Sequence, residues 1–490
     1  MPPATQNRRG SLLILLLAGL DPACSDDGAA ADAAVDHRTL TDGVTDVTLA
    51  RDGITDGLVS DGPSTSCGSV VTFADGKQPT IILHVSPTGS DSAGDGSAAK
   101  PFATLGQAAK TATAGAAVRI HAGTYAGGAH LSGLQGTAAA PIWIGGAPGE
   151  ARPVLDGGGT GLQLSKVRYL VLHDLELRNA TSNGVNCDDG GEVADPDATR
   201  YVVLRDLAIH DVGGDGNQDC LKLSGVDDYF VLKCSFARCG GAQSGSGIDH
   251  VGCHKGLIVG NTFEQHSGNA IQCKGGSEDI EIRGNVMTDA GERAVNMGGS
   301  TGFEYFRPPL STTAPNVEAR DIRVVANLIR GGTAALAFVG CVDCRAANNT
   351  IVTPHNWLLR ILQETTTARG YTFLPCSNNR VINNIFYFDR RDLSTYVNTG
   401  ANTQASSFTF ANNLWFAYDD VVQSKPTLPV TGTGGIVGQD PTFIGVSGHD
   451  YHIGSTSPAA GKGQSLTQVS ADLDGQCYAS PPSVGAYEAP

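Results

Sequence analysis

Residues 256–287 read GLIVGNTFEQHSGNAIQCKGGSEDIEIRGNVM, and one short phrase occurs in them twice, as GLIVGNTFE at 256–264 and DIEIRGNVM at 279–287. In both copies apolar residues alternate with polar ones, which is typical of a strand with one buried face. Each copy carries an asparagine at the same place, Asn261 in the first and Asn285 24 residues later. Repetition of a strand phrase at so short a period predicts a solenoid made of β-strands.

The same phrase recurs from residue 168 to residue 416. Its other copies are YLVLHDLEL, YVVLRDLAI, YFVLKCSFA, DIRVVANLI, CRAANNTIV, NRVINNIFY and FTFANNLWF. We assign the position of Asn261 in these copies to Asp174, Asp206, Cys234, Asn327, Asn349, Asn384 and Asn413. Asparagine tolerates the αL conformation and its amide can bond to the next coil, so we expect an asparagine ladder at a corner of the solenoid.

A second strand ending in glycine follows each phrase, for example LKLSG at 221, IDHVG at 248 and IQCKGG at 271. Placed in register, these strands point one row of residues outward, about 4.8 Å apart on adjacent coils. The row consists of Lys222, Asp249, Gln272, Asn296, Ala337 and Arg360. We interpret it as a groove for an extended polymer, with an ordinary solvated face as the alternative.

The intervals 285–327 and 349–384 are long enough to hold loops that project from the solenoid. They contain aromatic and cationic residues suited to flanking a sugar, namely Phe303, Tyr305, Phe306, Arg307, Trp357 and Arg360. Upstream, the helical spacing of KPFATLGQAAKTA at 100–112 predicts a helix that caps the open end of the solenoid.

The composition excludes several classes of protein. Among 490 residues there are 64 glycines and only 17% charged residues, which argues against coiled coils and helical solenoids. The net charge of −16 argues against a nucleic-acid partner. We expect a monomer.

The N-terminus predicts export. Arg8 and Arg9 precede an apolar run, and residues 1–24 are typical of a signal peptide. Its end resembles a lipoprotein cleavage site with Cys24 as the acylated residue, which would tether the protein to a membrane by lipid alone. Because Asp21 stands where that motif has leucine, plain secretion is the alternative. Either way we expect an extracytoplasmic protein, in the periplasm, on the outer surface or secreted.

Residues 25–66 contain nine aspartates and two arginines and little that is apolar, which predicts a disordered linker that can be deleted without loss of stability. The folded domain is expected over residues 67–490. Eleven cysteines remain after Cys24, so we expect disulfides and at least one unpaired or buried thiol.

These features resemble the right-handed parallel β-helix proteins of the pectate lyase type. The segment HVSPTGSDSAGDGSAAKPFATLGQAA at 84–109 looks like the start of many exported β-helix domains, and Asp472, Asp474 and GAYE at 485–488 look like their usual end. The resemblance implies an all-β, single-stranded, right-handed parallel β-helix with an N-terminal capping helix.

Residues 261–299 are similar to the active-site coils of chondroitinase B and alginate lyases. That similarity implies β-elimination on an acidic polysaccharide, with Lys274 as the base and Arg293 as an assisting cation that reaches back towards it. Abstraction of a proton next to a uronate carboxylate needs a base at that carbon and positive charge on the carboxylate. Lys222, Gln272, Asn296 and Arg360 would then bind the substrate.

A second resemblance, to pectate lyases that hold Ca²⁺ by aspartates on adjacent coils, makes Asp219 and Asp249 candidate Ca²⁺ ligands beside Lys222. Asp188, Asp189 and Asp215 are further candidates, and their alternative role is to cap turns. We predict that His250, His254 and His266 are surface or turn residues. A non-catalytic carbohydrate-binding or surface-structural solenoid remains the alternative function.

Overall fold

The computed structural model of this chain describes residues 67–214, 217–241, 244–467 and 469–490. The expectations for the signal peptide, for Cys24 and for the linker at 25–66 therefore lie outside the described residues, as does Asp215.

The described chain winds into coils, each of which adds one strand to each of three parallel sheets. The prediction of an all-β, right-handed parallel β-helix is confirmed. The strands of sheet 1 are Ile81–Val85, Ala116–Ile120, Ile142–Gly146, Arg168–His173, Thr199–Arg205, Val226–Leu232, His254–Val259, Ser277–Arg283, Ala319–Val325 with Cys341–Val342 beside it, Arg345–Ala347, Arg380–Ile382 and Thr409–Ala411. The strands of sheet 2 are Ala129–Ser132, Leu162–Ser165, Val185–Asp188, Leu221–Ser224, Ser246–Val251, Asn269–Lys274, Arg293–Gly298, Ala334–Val339, Trp357–Leu362 and Val397–Thr399.

Sheet 3 completes each coil. Its strands are Thr124–Ala126, Val154–Asp156, Glu176–Arg178, Ala208–Val212, Ser235–Cys239, Thr262–Glu264, Val286–Thr288, Leu328–Arg330, Thr350–Val352, Ile385–Phe388, Leu414–Ala417 and Ile436–Val437. A separate antiparallel pair joins Phe443–Gly445 to Asp450–Ile453. Short 3₁₀ helices occur at Phe303–Tyr305, Arg390–Asp392, Ala405–Ser407, Val421–Ser424 and Val446–Gly448.

The repeated phrase spans the corner between sheets 1 and 3, and the asparagine ladder lies inside that corner. The Asn327 side chain accepts hydrogen bonds from the backbone and side chain of Asn285, each at 2.9 Å, and Asn349 does the same for Asn327 at 3.0 Å. The placement of the αL corner was wrong by one residue. The αL conformation belongs to the residue before the asparagine, such as Ala326 or Asn348.

That correction also changes the alignment of the first two copies of the phrase, YLVLHDLEL and YVVLRDLAI. Asp174 and Asp206 are themselves the αL residues, with φ of 51° and 54°. The ladder position in those coils is occupied by the next residue, Leu175 and Leu207, both of which are buried. The later coils, from Asn261 onward, thus have asparagine where these two coils have leucine. The asparagine amides form hydrogen bonds with buried backbone groups, which a leucine side chain cannot do.

The predicted capping helix is Leu105–Thr111, with Thr104 as its N-cap. Leu105 and Ala108 are buried in the core with Leu83, Val85 and Phe102. The helix thereby covers the apolar interior at the first coil, where sheet 1 begins with Ile81–Val85.

The two ends of the described chain meet on the side of the solenoid. The C-terminal segment packs back along the αL corner, where Asn383 Nδ2 donates to the Gln464 carbonyl at 2.9 Å and Asn348 Nδ2 to the Ser483 carbonyl at 3.0 Å. A disulfide joins Cys67, at the start of the described chain, to Cys477 of this C-terminal segment.

A second disulfide joins Cys220 to Cys239, and the remaining described cysteines are buried thiols. The prediction of both disulfides and unpaired thiols is therefore confirmed. Within the described ranges no helix is long and apolar enough to cross a membrane.

Candidate functional site

The outward row on sheet 2 has the predicted register. Lys222 is paired with Asp249, Asp249 with Gln272, Gln272 with Asn296, and the pairing continues through Ala337 to Arg360. The full row in the structure is His130, Gln163, Asn186, Lys222, Asp249, Gln272, Asn296, Ala337, Arg360 and Asn398. Its middle is not a solvated face, because Asp249, Asn296 and Ala337 are buried.

Lys274 belongs to a second outward row, two residues further along each strand. Its register neighbour on the preceding coil is Val251, which is in turn paired with Ser224. Lys274 thus lies beside the main row and can turn its ammonium group towards Asp249.

Four charged side chains form a cluster on this face, which we call the Lys222 cluster: Asp219, Lys222, Asp249 and Lys274. The Lys222 ammonium lies 2.7 Å from Asp249 Oδ2 and 3.3 Å from Asp219 Oδ2. The Lys274 ammonium lies 3.7 Å from the other oxygen of Asp249, Oδ1. Both carboxylates are fully buried, whereas the Lys222 side chain is 25% exposed, so the cluster opens to the surface through its lysines.

The electrostatics of the cluster hold Lys222 as a cation. Burial opposes its charge, but Asp249 and Asp219 outweigh burial and raise the pKa of Lys222 well above its usual range. Burial also opposes ionisation of Asp249, and Lys222 and Lys274 overcome it, lowering the pKa of Asp249 to about 2. Burial dominates at Asp219, where it raises the pKa to about 6 against the attraction of Lys222.

The two predicted Ca²⁺ ligands do not form an open oxygen cage. Ca²⁺ requires six to eight oxygen ligands at 2.3–2.6 Å, but a lysine ammonium lies between Asp219 and Asp249. Asp219 Oδ1 accepts instead from the backbone N–H of Ser246 at 2.8 Å. This donor set does not fit the ion.

The two other described aspartates of the predicted metal set, Asp188 and Asp189, cap turns. The Asp188 carboxylate accepts hydrogen bonds from Gln163, Ser165, Asn186 and the Gly190 N–H. Asp189 accepts from the Gly191 N–H and forms an ion pair with Arg307. These contacts agree with the alternative role in which the aspartates cap turn amides.

Arg293 lies on the same face as Lys274, and other groups hold its guanidinium. Its Cα is in register with Asn269, five residues from Lys274 along the strand and therefore about 16 Å away at ~3.3 Å per residue. The guanidinium donates to Glu364 Oε1 at 2.7 Å and to Asn296 Oδ1 at 3.3 Å. The contacts of the described residues thus assign the guanidinium to Glu364 and Asn296, and the approach of Arg293 to Lys274 stays a prediction.

Arg360 and Trp357 occupy the C-terminal end of the row. They belong to the strand Trp357–Leu362 rather than to a projecting loop, which corrects the sequence interpretation. The Arg360 guanidinium lies 4.1 Å from the centre of the Trp357 ring, and its Nε donates to Asn398 Oδ1 at 3.4 Å. An arginine stacked on an indole offers a flat surface with positive charge.

The two long insertions pack against the solenoid beside the row instead of projecting from it. Phe306 is buried and contacts Phe373 from the second insertion, with ring centres 5.5 Å apart. Arg307 lies across the glycine turns that follow the sheet 2 strands. A Cβ at Gly225 or Gly252 would lie 2.4 Å from Arg307 side-chain atoms, so the arginine passes only because these turns lack side chains.

Glu318 joins both insertions to the turn after Lys274. Its fully buried carboxylate accepts hydrogen bonds from the N–H of Gly275, the N–H and hydroxyl of Thr301, and the hydroxyl of Thr365. Burial raises the pKa of Glu318, and these hydrogen bonds oppose the shift.

Two functional candidates were not found in the sequence: Glu318 and Glu364. They lie in the irregular insertions, where no period relates them to the rows that they contact. No signal in the sequence identifies them.

The prediction that the three histidines are surface or turn residues is wrong for His250, whereas His266 lies in the turn between two strands. His250 is fully buried and donates a hydrogen bond from Nδ1 to the Gln272 carbonyl, and burial lowers its pKa to about 4. The alternation of strands predicts this, since His250 follows the outward Asp249. His266 is buried beside the Cys220–Cys239 disulfide. His254 is partly buried and contacts Asp227 at 2.8 Å.

Comparison with known proteins gives matches in structure only. No protein-family model matches the chain, and no curated protein matches its sequence. The crystal structure of pectate lyase Pel9A superposes with a TM-score of 0.51 at 15% identity, covering 85% of this chain and 98% of that one. An alginate lyase from Paenibacillus sp. gives 0.43 at 16% identity, covering 66% and 97%, and a rhamnogalacturonan lyase gives 0.42 at 17%, covering 71% and 90%. At such identities the first similarity shows a shared parallel β-helix fold.

Proposed function

We propose that this protein binds an acidic polysaccharide along the outward row of sheet 2 and cleaves it by β-elimination, with Lys274 as the base. The observation that carries the proposal is that Lys222 and Lys274 contact opposite oxygens of one buried carboxylate, Asp249. Two lysines are thereby held side by side, with the amide residues Asn186, Gln272 and Asn296 on the row of Lys222.

The two lysines are suited to different roles. Asp249 and Asp219 keep Lys222 protonated, so it cannot accept a proton and instead offers positive charge to a uronate carboxylate. Lys274 makes a single, longer contact of 3.7 Å with Asp249 and is the lysine available to accept the proton next to that carboxylate. The electron pair of the broken C–H bond then forms the double bond as the bond to the glycosidic oxygen breaks. That oxygen takes up a proton from water, and Lys274 returns the proton it accepted to the solvent.

The remaining residues of the row would hold the polymer. Gln272 and Asn296 lie between Lys274 and Arg293 with their amides on the outward face. Arg293 and Arg360 add positive charge further along, and neighbouring coils repeat at about 4.8 Å, which suits a repetitive chain. We infer an extracytoplasmic site of action, with the disulfides Cys67–Cys477 and Cys220–Cys239 in support.

One feature favours the alternative of a binding protein without catalysis. Lys222, Lys274 and Arg293 each already contact a carboxylate, and such pairs would also suit a static binding surface. Binding without product would therefore assign the face to recognition alone.

The test is a substrate screen with pectate, alginate and chondroitin, measuring the ultraviolet absorbance of the unsaturated product. We expect wild-type protein and Lys110→Ala, in which an exposed lysine of the capping helix is removed, to be equally active. Lys274→Ala should lose activity by about 10²-fold or more, as for loss of a general base. Full activity of Lys274→Ala on a confirmed substrate would reject Lys274 as the base.

A further inference from the structure

We propose that Lys222 takes the place of a divalent cation in this site, so that the protein works without Ca²⁺, and that removal of Lys222 turns Asp219 and Asp249 into a Ca²⁺ site. The part that concerns activity rests on the proposed function. The part that concerns metal binding rests on the geometry of the Lys222 cluster alone.

The position of the Lys222 ammonium supports this proposal. The Lys222 ammonium bridges two fully buried carboxylates that come from successive coils, at 2.7 Å from Asp249 and 3.3 Å from Asp219. This is where an ion shared by the two carboxylates would lie. Lys222 is the direct register neighbour of Asp249, so the strand pairing itself brings the ammonium to that point.

The net charge of the Lys222 cluster also supports the proposal. With Lys274 protonated, Lys222 and Lys274 carry two positive charges, and Asp219 and Asp249 carry two negative charges when ionised, so the cluster is then neutral. Ca²⁺ added to it would face two ammonium groups within a few ångströms, and like charges in a partly buried site repel strongly. Without Lys222 the two carboxylates would face only Lys274, and oxygen ligands with net negative charge favour Ca²⁺.

The contacts of Lys274 allow Lys222 to be removed while Lys274 stays in place. Lys274 contacts only Oδ1 of Asp249, whereas Lys222 contacts Oδ2 and Asp219. Loss of Lys222 therefore opens the space between the two carboxylates. The amide of Asn186, the register neighbour of Lys222 on the preceding coil, has a buried Oδ1 with no hydrogen-bond partner among the described residues, and this is a further oxygen on the same row.

The experiment measures Ca²⁺ binding to chelator-treated full-length protein by calorimetry and by the shift of the thermal midpoint. We expect no saturable binding and no shift in wild type or in the control Lys110→Ala. Lys222→Ala should have a lower midpoint in EDTA, and CaCl₂ but not KCl should raise it by several degrees, because a ligand that binds only the folded state stabilises it.

Saturable Ca²⁺ binding to wild type that disappears in Asp249→Asn would overturn the proposal. So would Lys222→Ala that folds but gains no affinity for Ca²⁺. If Lys222→Ala does not fold in EDTA, folding in CaCl₂ alone supports the proposal, and failure to fold in both refutes it.

Activity is measured separately, in EDTA, on any substrate found in the screen. Wild type should keep its full rate in the chelator. If no substrate is cleaved, the proposed lyase function fails while the calorimetric result on Lys222 still stands.

Discussion

The carboxylate of Glu318 accepts hydrogen bonds from both the backbone N–H and the hydroxyl of Thr301, at 3.1 and 2.8 Å, in a fully buried position. Through the same two oxygens it also binds Gly275, which directly follows Lys274, and Thr365 of the second insertion. One side chain thus holds both insertions against the strand that carries the proposed base.

Replacement of Glu318 by glutamine should loosen both insertions. Each carboxylate oxygen accepts two hydrogen bonds, so an amide nitrogen in place of either oxygen faces two donors. We expect a loss of about 2–3 kcal/mol in the free energy of unfolding, as for buried groups left unsatisfied, and faster hydrogen exchange at 299–307 and 363–367. Glu304→Gln, a change in the first insertion outside this network, is the control, and equal exchange in both variants would contradict the role of Glu318.

The stability of the protein should depend on pH through Asp219. Its folded-state pKa of about 6 lies above the usual value near 3.9, so the folded state binds more protons between these values. Stability from this group therefore falls as the pH rises from about 4 to about 6, by roughly 3 kcal/mol at about 1.4 kcal/mol per pKa unit.

Urea denaturation of wild type and Asp219→Asn across this pH range measures the effect. The free energy of unfolding of wild type relative to the variant should fall with rising pH and level off above pH 7. Asp392→Asn, an exposed change, should follow wild type throughout. A difference that is flat or rises with pH would show that Asp219 is ionised as easily in the fold as in the unfolded chain.

The asparagine ladder should contribute most at its centre. Asn327→Ala removes the acceptor for two N–H groups of Asn285 and the donor to the Ile282 carbonyl, all of which are buried. We expect a loss of about 3 kcal/mol or more. Asn413→Ala, at the end of the ladder, is the matched comparison and should cost less, because fewer buried groups lie on its far side. Similar losses in the two variants would argue against a cooperative ladder.

Arg360 should contribute to the affinity for an acidic polymer. Arg360→Gln keeps most of the side-chain volume but removes the charge above Trp357. We expect the dissociation constant to rise about fivefold at low salt, as for a loss of about 1 kcal/mol, and the difference to shrink as salt screens the charge. Arg380→Gln on sheet 1 is the control, and calorimetry with the best polymer of the screen gives both constants.

The rows of sheet 2 could be predicted from the sequence because their strands share one alternation and one ending in glycine. The register from Lys222 to Arg360 follows from that repetition, and the inward place of His250 was available from the same rule. Period two assigns a side chain to a face, but it does not say what covers that face.

The contacts that Glu364 and Glu318 make beside the site could not be predicted in this way. Glu364 reaches Arg293 across 71 residues, and Glu318 reaches Thr301 across 17. Both acids lie outside the repeats, so their partners depend on how two irregular insertions pack together. For the same reason the contact between Arg293 and Glu364 could not be foreseen, since this carboxylate lies in a segment without a period.

The asparagine ladder also separates the stability of the solenoid from the length of its insertions. Asn285 and Asn327 are 42 residues apart in sequence, and Asn327 and Asn349 are 22 apart, yet the N–H to Oδ1 distances are 2.9 and 3.0 Å. The hydrogen-bond geometry of the ladder therefore does not depend on the number of residues inserted between two successive asparagines. Segments beside the outward row of sheet 2 can lengthen, shorten or be exchanged during evolution or by grafting without rebuilding the core.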